Sequence, residues 1–317
     1  MERFLRTLVA ATALLAFLVI VVGAYVRLSD AGLGCPDWPG CHGHPVPTQI
    51  HDESALAKAW KEMGHRYLAG GLGVLIVLIA LLSWRVRRAP WHATAVVALV
   101  VFQATLGMWT VTLLLKPVIV TLHLLGGMTI FALLLLLFLR LAFPAGWPGA
   151  GALRSIAATA FCALVVQIAL GGWVSANYAA LACPDLPGCL GQAVPPMDFA
   201  NAFHVLRELG RTGEGDLLPM EALVAIHWTH RLFALVVVLV AGTAALRALA
   251  IPSFRGVGAF VGAALLLQFS LGIANVLFAL PLPLAAAHNA GAALLLASLV
   301  VLNFFAFKGL PDRLPLQ

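Results

Sequence analysis

Eight apolar runs divide this chain, each long enough to cross about 30 Å of hydrocarbon at about 1.5 Å per helical residue. They lie near residues 7–27, 63–83, 92–113, 118–140, 153–176, 221–246, 255–277 and 283–306. With 62% hydrophobic and 10% charged residues among 317, no water-soluble core hides so much apolar surface, so the surrounding solvent is lipid. Inside lipid every backbone N–H and C=O must find its partner within the protein, which leaves helices or a closed barrel. A barrel reads as short alternating segments, and the runs here are long and continuous. The expectation is an all-α membrane protein with eight transmembrane helices. Breaks between runs carry Pro and basic residues, as at Arg85-Val86-Arg87-Arg88-Ala89-Pro90, Lys116-Pro117 and Pro281-Leu282-Pro283. The first run, Leu8 to Val26, is too long for the apolar stretch of a signal peptide and reads as a retained span.

Net charge is +6, and its distribution sets an orientation. With the N-terminus in the cytoplasm, the inner side holds Arg3, Arg6, Arg85, Arg87, Arg88, Arg140, Arg154, Arg247, Arg255, Lys308 and Arg313 against only Glu2 and Asp312. The outer side holds eight basic and eleven acidic residues. Lys/Arg bias in short loops fixes topology. Both termini are therefore expected on the cytoplasmic side of the cell inner membrane. The basic excess is a topology signal and needs no nucleic-acid partner. Two long loops, 28–62 and 177–220, then fall on the outer face.

The chain repeats itself. Gly34-Cys35-Pro36-Asp37-Trp38-Pro39-Gly40-Cys41 matches Ala182-Cys183-Pro184-Asp185-Leu186-Pro187-Gly188-Cys189 at six of eight positions. Gly64-His65-Arg66 pairs with Thr229-His230-Arg231, and Gln103-Ala104-Thr105-Leu106-Gly107 with Gln268-Phe269-Ser270-Leu271-Gly272, both at an offset of 165. The reading is two tandem four-helix bundles, 1–143 and 153–308, related by a pseudo-two-fold axis. A Pro/Gly-rich linker at 144–152 joins them, and 309–317 forms a tail. Four spans separate the copies, so they share one orientation, unlike inverted-repeat transporters.

Histidines fall on the same ruler. His65 and His123 are 58 positions apart, as are His230 and His288. Each member of a pair lies near the outer end of a different span. A single imidazole there is most simply a helix-capping or hydrogen-bonding residue. Four at matched spacing point to two axial ligand sets, since helices facing across a bundle can clamp a porphyrin between opposed imidazoles. Zinc fits less well, because each bundle lacks a clear third and fourth ligand. Arg66 and Arg231 follow the first ligands and are candidates for porphyrin propionate contacts, although arginines at helix ends commonly snorkel. His42, His44, His51, His92 and His204 default to solvated surface. His227 lies three before His230 and can share its helix face. Its counterpart is Glu62, three before His65, so the duplication has diverged there. A carboxylate one turn from a ligand can act as general acid or base, or simply cap the span.

Cys35/Cys41 and Cys183/Cys189 lie on the oxidising side, where disulfides persist. Five intervening residues with two prolines allow a closed loop, and a redox relay is the alternative. Neither pair has the spacing for covalent haem attachment. Cys162, within the fifth span, reads as a small packing residue.

Glu62-x-x-His65-Arg66, the repeated four-helix design, the four outer-side histidines and the first-loop cysteines together resemble the haem A synthase family over essentially the whole chain. The resemblance implies oxidation of the C8 methyl of haem O to a formyl group by successive hydroxylations, with the product supplied to haem-copper terminal oxidases. It implies that His65 and His123 hold the substrate haem O, that His230 and His288 ligate a haem B cofactor, and that Glu62 is the catalytic carboxylate. Cys35 and Cys41 match the family's loop cysteines, whereas a second pair such as Cys183 and Cys189 occurs in only part of it. Haem O synthase, terminal oxidase assembly factors, membrane lipid and a second copy of the chain are the partners it suggests. Three other readings stand beside it: a di-haem b-type electron carrier, a haem transporter or chaperone without chemistry, and a cofactor-free parallel-repeat transporter.

Overall fold

The computed structural model describes residues 1–48, 50–143 and 151–308. Its helices are α1 (Glu2–Leu28), α2 (Glu53–Val86), α3 (Pro90–Thr112), α4 (Pro117–Ala142), α5 (Gly151–Ala176), the short α6 (Phe199–Ala202), α7 (Met220–Leu249), α8 (Arg255–Leu277) and α9 (Leu282–Phe307). All except α6 are long and apolar enough to cross a membrane. Among the described residues extended pairing is limited to isolated bridges in the two long loops, Cys41 with His44, Cys189 with Gln192, and Arg211 with Leu217. The chain is thus an all-helical protein with eight spans. Most of the expected linker (144–150) and the tail (309–317) lie outside the described residues.

The starts follow local chemistry. Proline opens α3 and α4, where its missing N–H is not needed. Asp52 caps α2 by accepting from Ala55 N at 2.7 Å. That cap corrects the boundary expected near residue 63. The ten preceding residues, with Lys58 and Lys61 among them, are too polar for a span, yet they continue the same helix. At about 1.5 Å per residue the 34 residues of α2 reach about 50 Å, longer than the about 30 Å of hydrocarbon that a span must cross.

α1 packs on α2 and α4, and α3 on α2 and α4. In the second half α5 packs on α7 and α9, and α8 on α7 and α9. Contacts between halves run from α4 to α5, from α1 to α9 and from α4 to α9. Exchanging α1, α2, α3 and α4 for α5, α7, α8 and α9 maps this pattern onto itself. Small residues let helices approach where lipid provides no hydrophobic drive. At Gly258 of α8 an added Cβ would meet Leu249 N at 2.8 Å and Ala245 O at 2.9 Å. Arg27, at the C-terminal end of α1, donates to Ser175 O at 2.9 Å and lies over the Tyr178 ring, so the C-terminal ends of α1 and α5 sit side by side.

The two copies differ by an insertion. Positions match at an offset of 148 through α1 and the Cys motif, and at 165 from the following long helix onward, so the second Cys loop is 17 residues longer. It holds α6 and the buried Arg207, which donates to Asn177 Oδ1 at 2.6 Å. Cys162 corrects another expectation: it is exposed on the surface of α5 rather than packed. His92 is half-buried, its Nε2 lying 3.0 Å from Leu133 O, rather than solvated.

Candidate functional site

All four histidines stand at one depth. Counted back from the C-terminal ends of their helices, His65 is 21 residues along α2, and His123, His230 and His288 are each 19 residues along α4, α7 and α9. At about 1.5 Å per residue that places them about 30 Å from those ends, a distance close to the thickness of a bilayer's hydrocarbon. His65 and His123 lie within electrostatic reach of each other, and so do His230 and His288.

Glycine on the neighbouring helix makes room for each ring. A Cβ added at Gly23 of α1 would stand 2.8 Å from His65 Cε1, and one at Gly107 of α3 would stand 3.1 Å from His123 Cε1. In the second half Gly171 and Gly272 face His230 and His288 at 3.0 and 3.2 Å. Glutamines stand close by. Gln103 donates to His123 O at 2.7 Å, and the Gln268 amide nitrogen is 3.3 Å from His288 Nε2. The Gln167 amide nitrogen lies 3.2 Å from His230 Nδ1. The sequence pairs Gln103 and Gly107 with Gln268 and Gly272 as a repeat without giving them a role, and Gln167, Gly23 and Gly171 were missed there.

Glu62 is only 5% exposed. Its Oε1 takes Arg66 Nη2 at 2.5 Å, and its Oε2 accepts the backbone N–H of Cys35 at 2.9 Å. Arg66 also donates to Asp37 O at 2.9 Å and Gly40 O at 2.5 Å. The carboxylate therefore joins the turn of α2 above His65 to the first Cys loop. His227 is equally buried at 6% and accepts from Arg231 Nε at 3.2 Å. Arg231 reaches Asp185 O at 2.8 Å, Gly188 O at 3.0 Å and Cys183 O. Both arginines, expected as propionate contacts, are engaged with loop carbonyls.

Disulfides close both loops, Cys35–Cys41 and Cys183–Cys189. Each hairpin is organised by an aspartate. Asp37 accepts from His42 N at 2.6 Å and Gly43 N at 2.8 Å, and Asp185 from Leu190 N at 2.7 Å and Gly191 N at 2.8 Å. The backbone N–H of Gly43 chiefly holds the Asp37 carboxyl below its ordinary value, and that of Gly191 does the same for Asp185. Gly43 and Gly191 both adopt positive φ, 77° and 72°, which glycine takes without strain.

No group of three or more His, Cys, Asp or Glu suited to a metal ion occurs among the described residues. The arrangement therefore offers paired imidazoles rather than a tetrahedral cage. This defines an eight-span helical membrane protein with two buried, symmetry-related histidine pairs beneath disulfide-closed loops.

Residues 6–300 match the COX15-CtaA family of cytochrome oxidase assembly proteins. The chain belongs to that family. It is 43% identical over 317 aligned positions to the Heme A synthase of Shewanella oneidensis, covering 95% of this chain and 96% of that protein. The Heme A synthases of Halalkalibacterium halodurans and Shouchella clausii are 30% and 32% identical. Each of those alignments covers 74% of this chain, and 79% and 78% of the relatives.

Proposed function

We propose that this chain is a haem A synthase, an oxidoreductase that converts a ring methyl of haem O to a formyl group. One observation carries the reading: two matched imidazole pairs lie on a two-fold design, and a buried carboxylate stands beside only one of them. Similarity to Heme A synthases along the chain supports it.

The residues fit a porphyrin iron. Nδ1 of His65, His123 and His288 is buried without a hydrogen-bond partner among the described residues, so each of these rings keeps a nitrogen that the protein itself does not engage. In the proposed division of labour His65 and His123 hold the substrate haem O, and His230 and His288 hold haem B. Haem B, when bound, supplies one-electron redox chemistry. Glu62, one helical turn from His65, is placed to hold or move a proton at its carboxylate oxygens beside the substrate. Arg66 and the Cys35 N–H fix that carboxylate, and the Cys35–Cys41 loop roofs it. His227 cannot take that role with the same charge, which favours the first half as the reacting side.

Supply of the product to terminal oxidases, contact with haem O synthase and assembly factors, and placement in the inner membrane with both termini cytoplasmic belong to the same reading. The basic inner loops support the orientation. Co-expression with a source of haem O, followed by chromatography of extracted haems, tests the activity. Wild type is expected to yield haem A. Glu62→Gln is expected to fold and bind haem while haem A falls at least 100-fold, the lower range for loss of a general acid or base. Undiminished haem A in that variant would remove Glu62 from the chemistry.

A further inference from the structure

Four residues before each ring-contacting glycine the same helix face turns toward the histidine again. Three of those positions are glutamine: Gln103 before Gly107, Gln167 before Gly171 and Gln268 before Gly272. The fourth, before Gly23, is Val19. The Gln167 and Gln268 amides lie against the rings of His230 and His288, and the Gln103 amide donates to the backbone carbonyl of His123. Their Oε1 atoms are all buried and take no hydrogen bond among the described residues. Gln103 and Gln268 sit in notches left by Gly126 and Gly291, so their amides are held close to the imidazole helices. Val19 is buried in the apolar core and has no polar atom in its side chain. The rings of His65 and His123 both lack a hydrogen-bond partner among the described residues, but only His65 also lacks a neighbouring amide that could supply one.

This difference acts on metal ligation. An imidazole that gives one nitrogen to iron keeps its proton on the other, and that proton needs an acceptor. A glutamine oxygen can serve once its amide presents that edge, since the two ends of the amide are nearly interchangeable in shape. Such an acceptor fixes the ring and strengthens it as a ligand, and its loss typically costs 10- to 100-fold in metal affinity.

We infer that Val19 leaves His65 as the releasable ligand, the one imidazole that lets go when the porphyrin of the first site enters, opens an iron position and departs. The glutamines keep the other three ligands in place. The inference rests on reading the first pair as the substrate side, and it resolves a tension in that reading. Two permanent axial histidines leave no open iron position, so an exchangeable site needs one ligand that dissociates.

The test follows haem loss from the purified full chain loaded with haem B, using excess apomyoglobin as acceptor and the Soret band as readout. Wild type is expected to lose haem in two phases, the fast one absent in His123→Ala and the slow one absent in His288→Ala. Gln167→Val, which copies the first-half residue into the second half, should accelerate the slow phase about 10- to 100-fold. Gln167→Glu, which keeps an acceptor, should restore it. Val19→Gln should slow the fast phase by a similar factor. If that buried amide prevents folding, the Gln167 pair decides alone. A single phase in wild type, or a slow phase indifferent to Gln167→Val, overturns the inference while leaving two haem sites intact. Absence of any Soret band overturns the haem reading itself, and the inference with it.

Discussion

Gly23 is as consequential as the histidine it faces. Its added Cβ would stand 2.8 Å from His65 Cε1, whereas one at Gly64 would meet nothing within 4 Å. Gly23→Ala should therefore displace the ring and lower haem occupancy of the first site about 10-fold, the scale of losing a metal ligand's support. Gly64→Ala, one position from the same histidine, should leave it unchanged, and reduced-minus-oxidised spectra of the two purified variants check this. Equal occupancy in both would mean that the ring tolerates the methyl group. The histidines were legible in the sequence because an imidazole is conspicuous in an apolar run. Gly23 and Gly171 were not, because the chain has 29 glycines and glycine is ordinary in membrane helices. The signal that would have found them is Gln-x-x-x-Gly, seen at Gln103, Gln167 and Gln268, and broken at Val19.

Each Cys loop is an element held from two sides, by its aspartate from within and by an arginine of the next helix from below. Removing Arg66 strands the buried Glu62 carboxylate, which costs about 3–5 kcal/mol when a buried partner is lost. Removing Arg231 strands only the His227 imidazole and loop carbonyls. Arg66→Ala should thus lower the melting temperature more than Arg231→Ala, and equal shifts would contradict the charge argument. The aspartates add a pH dependence. Because folding lowers both carboxyl pKa values, their stabilisation is complete above the ordinary value of 3.8 and is lost as pH falls below it. Protease nicking of the two loops should stay constant down to about pH 4 and rise below it, and loops equally protected at still lower pH would argue against the aspartate brackets. The Cys pairs and the repeated motif were readable from sequence. The arginine clamps were not, since Arg66 and Arg231 donate to backbone carbonyls 26 to 48 positions away, contacts that leave no side-chain signature. The first ten residues of α2 escaped for a related reason, because a helix extending past the hydrocarbon loses the apolar composition that marks a span.

At the scale of the molecule, duplication supplies two sites and divergence separates their work. The repeat offset, the shared depth of the four histidines and the helix contacts all express the two-fold relation. Glu62 against His227, Val19 against Gln167, and the 17-residue insertion break it. The first two breaks fall beside His65 and His230, and in the proposed reading they separate an acid-bearing half with a releasable histidine from a half whose two histidines both face glutamines. An electron carrier with two permanent haems would have no use for that division. The most direct test is the pigment content of the purified full chain, co-expressed with a haem O source and resolved by chromatography. The account predicts one haem B per chain, with haem O or haem A filling the second site in substoichiometric and variable amount. Two haem B per chain, with no haem O or haem A, would contradict it.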